Sequence, residues 1–202
     1  MPTGRFIVIE GIDGAGTTTQ TRLLVDWMNE RGWRARATGE PSQGPIGRLL
    51  REILGGAHGR VDGTAMALLF AADRLDHLAR EVEPALAEGV HVVSDRYTHS
   101  SLAYQAEEAD RSLVAEINRR ARPVDLTLLL DLPAEVAAER RARAGRPVER
   151  YDDLAVQRRV AARYAELARE LGDRERIVVV PAQGSIEEVQ ARLRREVAEL
   201  CR

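Results

Sequence analysis

Apolar positions along the chain recur with two different periods, and the two periods alternate from end to end. Arg5 to Glu10 (RFIVIE) is a short apolar, β-branched run that stops at Gly11 and predicts a strand buried on both faces. From Thr18 to Arg31 the spacing changes. Leu23, Leu24, Trp27 and Met28 recur at helical intervals, and Gly32 supplies the stop. A second strand fits Trp33 to Ala37. Helices are predicted over Ile46 to Leu54 and Thr64 to Glu88, the longer one bent near Pro84, where a backbone donor is missing. Val90 to Ser94, Leu126 to Asp131 and Ile177 to Val180 read as further buried strands. Helices are predicted again over Ser112 to Arg122, Ala134 to Arg143, Leu154 to Leu171 and Ile186 to Leu200. This alternation predicts an α/β fold with a mostly parallel sheet flanked by helices. No repeat or low-complexity linker interrupts it, so one domain over residues 1–202 is expected.

Composition narrows the classes of function. No stretch approaches the roughly 18 to 20 apolar residues of a membrane span, and the chain opens on a strand-like run rather than a signal peptide. A cytoplasmic protein without membrane contact is expected. The 30 basic residues are balanced by 32 acidic ones, at a pI near 6.1, which argues against nucleic-acid binding by bulk charge. Any anion site must be local. Cys201 is the only cysteine, so neither an intrachain disulfide nor a cysteine-based zinc site is available. All 30 basic residues are arginine. Coding bias toward arginine or engineering would each produce that pattern, and under either the chain has no lysine chemistry.

Candidate chemistry begins where the first strand meets the first helix. Gly11, Gly14, Ala15, Gly16, Thr17, Thr18 and Thr19 occupy the place of a phosphate-binding loop. Glycines there let successive N–H groups turn toward a polyphosphate, and the helix N-terminus adds partial positive charge. Thr18 is at the position whose hydroxyl binds Mg²⁺ in the pattern G-x-x-x-x-G-K-[ST]. Thr17 stands where that pattern has lysine.

Four further blocks follow in order. The run Phe6 to Gln20 (FIVIEGIDGAGTTTQ) resembles the opening of thymidylate kinases, apart from Thr17. Leu69 to Arg74 (LFAADR) resembles their nucleobase segment, Asp95 to Gln105 (DRYTHSSLAYQ) their D-R-Y block, and Leu130 to Pro133 the end of their fourth strand. Glu149 to Asp152 (ERYD) is similar to the end of their mobile lid, placed here at about residues 140–152. The resemblance spans nearly the whole chain and implies a P-loop fold, ATP and dTMP as substrates, Mg²⁺ and a homodimer.

It also implies roles residue by residue. Phe70 would stack on thymine and Arg74, one helical turn on, would donate to the base. Arg96 would grip the acceptor phosphate, since a guanidinium fork matches phosphate oxygens. Asp95, at the end of a buried strand, would orient that phosphate or help position Mg²⁺ with Thr18. Tyr104 would pack against the sugar C2′, Ser101 and Gln105 would reach the base, and Tyr151 would line the substrate. Asp13 would accept from the sugar 3′-hydroxyl. Gly39 replaces an arginine that often precedes the Glu40-Pro41 pair in the family, and Arg51 is the candidate substitute.

The lid carries Arg140, Arg141, Arg143, Arg146 and Arg150. One style of thymidylate kinase places an arginine in the P-loop, and the other keeps glycine there and supplies arginines from the lid. Gly14 with Arg143 and Arg146 resembles the second, while the ERYD tract resembles the first. Arg143 or Arg146 is therefore expected to bring the missing P-loop charge. Two other readings stay open: a P-loop kinase for another nucleoside or nucleotide, and a nucleotide-binding protein without turnover, which Thr17 would favour.

Overall fold

Five strands, β1 (Phe6–Gly11), β2 (Ala35–Gly39), β3 (His91–Asp95), β4 (Leu126–Asp131) and β5 (Ile177–Pro181), pair in parallel in the order β2-β3-β1-β4-β5. The structure is a computed structural model that describes residues 4–145 and 150–201. Phe6, Ile7, Val8 and Ile9 of the central strand are all fully buried. Successive side chains enter opposite layers. Ile7 and Ile9 pack with Leu24 and Met28 of α1 (Thr17–Glu30), Val160 of α8 (Leu154–Leu171) and Leu193 of α9 (Ile186–Leu200). Phe6 and Val8 pack instead with Leu78, Val82, Leu86 and Tyr97. Two covered faces account for an apolar run with no polar alternation.

The remaining helices are α2 (Pro45–Leu54), α3 (Gly63–His77), α4 (Glu83–Ala87), α5 (Thr98–Tyr104), α6 (Arg111–Asn118) and α7 (Ala134–Arg143). The long helix expected over Thr64 to Glu88 is α3 and α4 joined by a π-helical turn at Leu78–Val82. Pro84 offers no N–H to the turn before it, and the helix path adjusts there through the wider turn. The second strand begins two residues later than predicted, at Ala35. Trp33 lies outside it and packs edge-on against Trp27, ring centroids 5.5 Å apart, so its apolar surface serves α1. Helix α6 stops at Asn118, whose side chain turns inward to Arg74. Helix α5 carries no apolar stripe in the sequence; its start is held by the buried carboxylate of Glu10. No helix among the described residues is long and apolar enough to cross a membrane.

Candidate active site

The carboxyl end of β1 runs directly into the glycine-rich loop. Gly14 (φ 91°) and Gly16 (φ 98°) adopt left-handed backbone that glycine tolerates best. A Cβ on Gly14 would lie 2.5 Å from the Ala137 carbonyl oxygen, so α7 packs straight onto the loop. Gly16 caps α1 without any side-chain acceptor, which leaves the first N–H groups of the helix without a capping partner. The loop borders a cavity of about 540 Å³, closed on the far side by Arg140, Arg141 and the Gly184–Ile186 turn. An uncapped helix start facing such a space fits a polyphosphate.

The parallel register sets Asp95 beside Ile9, at the ligand-binding end of the sheet. Thr18 Oγ1 donates to Asp95 Oδ2 at 2.5 Å, while Asp95 Oδ1 is buried without a partner among the described residues. Nor do any three His, Cys, Asp or Glu side chains among those residues cluster as a metal cage. One hydroxyl and one carboxylate suit Mg²⁺, which takes few protein ligands when phosphates and water complete its shell.

Arg96 is the one non-glycine residue with positive φ among those described, at 73°. Its Nη1 donates to the Gly11 carbonyl at 3.0 Å, and its Nη2 meets Asp13 Oδ1 at 2.6 Å. Asp13 is held from the other side by Gln157, whose Nε2 donates to Oδ2 at 2.9 Å. The Asp13 N–H donates to the Tyr104 hydroxyl at 2.9 Å, and the Arg96 guanidinium lies over the Tyr104 ring, 5.1 Å from its centroid. Burial, and then the Asp13 carboxylate, push the Tyr104 phenol far above its ordinary value, so it stays protonated. Beneath this group Glu10 accepts from the Tyr97 and Ser100 N–H groups and from the Ser100 and Tyr164 hydroxyls, at 2.6 to 3.1 Å.

A second cavity, of about 710 Å³, opens between β2, α3 and α5 and is lined by Phe70, Arg74, Tyr104, Gln105 and Tyr151. Arg74 is almost wholly buried. It pairs with Glu40 at 2.7 Å and donates to the Tyr97 carbonyl, the Ser101 hydroxyl and Asn118. Its Nε has no partner among the described residues, and neither has Gln105 Oε1, both of them buried. Two unpartnered polar groups beside the half-buried Phe70 ring fit a planar, hydrogen-bonding ligand. Ser101 departs from expectation: it is buried behind Arg74, and Ser100 lines the cavity in its place. Arg51 lines the cavity too, with its guanidinium turned onto the carbonyls of Pro41 and Ser42.

The lid arginines are distributed differently from expectation. Arg143 is 79% exposed, pairs with Glu139 at 3.2 Å and lines neither cavity. Arg146 lies outside the described residues, as does Glu149. Arg141 is the arginine at the loop: its Nε meets Asp152 Oδ1 at 3.1 Å, and its Nη1 donates to the Asp13 carbonyl. Arg140 donates to the Ala182 carbonyl at 3.1 Å. The cause is helical phase. At about 100° per residue, position 143 stands about 160° around the helix from 141, the position that faces the loop. Arg150 bonds Glu108 at 2.5 Å and the Val61 carbonyl at 2.7 Å, so it does not reach the loop. Gln157 and Arg141 escape sequence reasoning. Gln157 lies 144 positions from its partner Asp13 and carries no local signal; Arg141 is one arginine among five.

The chain matches the family model described as thymidylate kinase over residues 9–193. It is 43% identical over 196 residues to a probable thymidylate kinase of Thermococcus gammatolerans, with 92% of each chain covered. A probable thymidylate kinase of Pyrobaculum aerophilum is 43% identical over 199 residues, covering 96% of this chain and 95% of the relative. A thymidylate kinase of Thiobacillus denitrificans is 39% identical over 203 residues, with 98% of each covered. The matched region runs from β1 into α9 and takes in both cavities. The chain belongs to the thymidylate kinase family.

Proposed function

We propose that this chain is an ATP-dependent dTMP kinase, transferring the γ-phosphoryl group of ATP to dTMP to give dTDP. The observation that carries the reading is that the two cavities meet: Asp13, Thr18 and Arg96 line both. A donor and an acceptor bound on either side of these residues are brought end to end.

Phosphoryl transfer asks a protein for positioning and for neutralisation of charge. On the donor side, the N–H groups of the loop and the start of α1 hold the phosphates of ATP. Thr18 and Asp95 are the residues that would hold Mg²⁺, which would supply neutralisation of phosphate charge. At the junction, the Arg96 fork grips the acceptor phosphate. Asp13, braced by Arg96 and Gln157, accepts from the sugar 3′-hydroxyl, and the Tyr104 ring restricts the space beside C2′. Phe70 stacks on the base, which meets Arg74 through Nε and the polar groups of Gln105 and Tyr151. Ser101 contributes by holding Arg74 in place.

Arg141 replaces Arg143 as the arginine that delivers positive charge to the loop lacking lysine. Loss of a cation that acts on the transferring group lowers kcat by about 10² to 10³. Arg141→Ala is therefore expected to lower kcat by about 10², while Arg143→Ala, which cuts an exposed ion pair, changes it less than about twofold. In the Arg141→Ala background, Thr17→Lys should recover much of the loss, because the side chain at 17 lines the same cavity. Equal kcat for the Arg141→Ala and Arg143→Ala variants in steady-state assays sinks this assignment.

The substrate is tested by coupled ADP release with a panel of nucleoside monophosphates. Turnover of dTMP, with kcat/KM at least about tenfold above the other acceptors, is expected from the number of paired base contacts. Turnover confined to another acceptor, or binding without turnover, overturns the reading. It also carries a cytoplasmic enzyme of nucleotide biosynthesis, consistent with the lone thiol of Cys201. We further propose a single kinase domain with its lid near residues 140–152, and a homodimer. The exposed Leu68 and Leu75, seven residues apart on one face of α3, support an apolar contact between copies.

A further inference from the structure

The acceptor cavity is lined by four arginines, and three of them already pair with protein groups, Arg96 while also facing the acceptor phosphate. Arg74 pairs with Glu40, Arg96 pairs with Asp13, and Arg51 is turned onto two carbonyls. Arg22 differs. It is exposed on α1, lines the acceptor cavity but not the donor cavity, and makes no hydrogen bond or ion pair with any described residue. Beside it, the Thr21 hydroxyl is buried, borders the same cavity and has no partner among the described residues. Thr18 stands one turn earlier on the same helix face, and helical side chains lean toward the N-terminus, here toward the phosphate loop.

The cavity needs such a cation. A phosphate monoester brings a charge of about −1.5 to −2, and Asp95, whose Oδ1 has no partner among the described residues, already adds a carboxylate to the lining. Position 17 supplies none. Position 39 supplies none either: it is glycine, and a Cβ there would lie 3.0 Å from the Asp95 carbonyl oxygen and 3.2 Å from Asp95 Cβ, a close fit. We infer that Arg22, with the Thr21 hydroxyl, is a phosphate-binding group of the acceptor cavity, gripping the monophosphate of the acceptor from the side of α1. The inference rests on the dTMP reading above and names a phosphate contact within it.

Calorimetric titration of the full chain with dTMP and with thymidine separates this role from a structural one. In Arg22→Gln, dTMP affinity should fall at least about tenfold and thymidine affinity should stay unchanged, since thymidine has no phosphate to lose. Arg22→Lys, which keeps the charge, should recover part of the loss. The dTMP affinity of the unaltered protein should also fall more steeply with salt than that of the glutamine variant. An unchanged ratio of dTMP to thymidine affinity, or equal loss of both, overturns the assignment. If the unaltered protein binds neither ligand, the dTMP reading itself fails, and the role of Arg22 with it.

Discussion

Replacing Arg96 by glycine is expected to lower turnover by about 10³ while leaving a protein more stable than the corresponding alanine variant. The first half follows from position. Arg96 lines both cavities, and its fork is fixed by the Gly11 carbonyl and the Asp13 carboxylate. Phosphoryl transfer draws its acceleration from cations held in advance of the reaction, and among the described arginines Arg96 alone lines both cavities. The second half follows from φ 73° at Arg96, a left-handed conformation in which a side chain carries about 1 kcal/mol or more of strain. Both variants lose the guanidinium, but only glycine also loses the strain. Glycine should thus unfold at a higher urea concentration than alanine, by roughly 1 kcal/mol, the reverse of the usual order. An alanine variant as stable as glycine would count against stored strain, and kcat within tenfold of the unaltered enzyme would end the phosphate assignment.

Glu10→Ala should be the most destabilising single change near the site, on the order of 4 kcal/mol by denaturant unfolding. The carboxylate is fully buried and gathers two N–H groups and two hydroxyls. With alanine, the hydroxyls of Ser100 and Tyr164, 2.9 Å apart, still have each other. The N–H groups of Tyr97 and Ser100 have no substitute, and each unpaired buried donor costs about 1 to 3 kcal/mol. Those two N–H groups set the start of α5, and with it Arg96, Ser100 and Tyr104. Activity should fall with stability for that reason. Glu10→Gln keeps an oxygen for both N–H groups and should restore most of each. A glutamine variant as unstable as alanine would mean that the charge, rather than the acceptor geometry, holds α5.

Chain pattern alone was sufficient for β1, β4, α7, α8 and α9, because each pairs a clear apolar period with a nearby stop signal. It failed at α5, where seven residues of mixed polarity show no period and the helix is organised by Glu10 from another element. It was also displaced at β2, where the apolar surface of Trp33 belongs to the packing of α1. Of the expected site, Gly14, Gly16, Thr18, Asp95, Arg96, Phe70, Arg74, Tyr104, Gln105 and Tyr151 all line one or other of the two adjoining cavities, while Gly11 lines neither. Ser101 and Arg143 do not. Their residue type and spacing suit the expected roles, but Ser101 is covered by Arg74 and Arg143 is turned out by helical phase.

Contiguous residues and bulk composition were enough to establish the α/β order, the glycine-rich loop, the family and the absence of any lysine to serve that loop. Each of those features is local, so no long-range contact is needed to read it. Which of the described arginines stands at that loop is decided only in three dimensions. Thirty chemically identical side chains differ in what lies across from them. Arg141 meets the Asp13 carbonyl, Arg143 meets Glu139, and Arg22 meets an open cavity with no partner among the described residues. Helical phase and strand register, rather than residue type, set where each guanidinium ends.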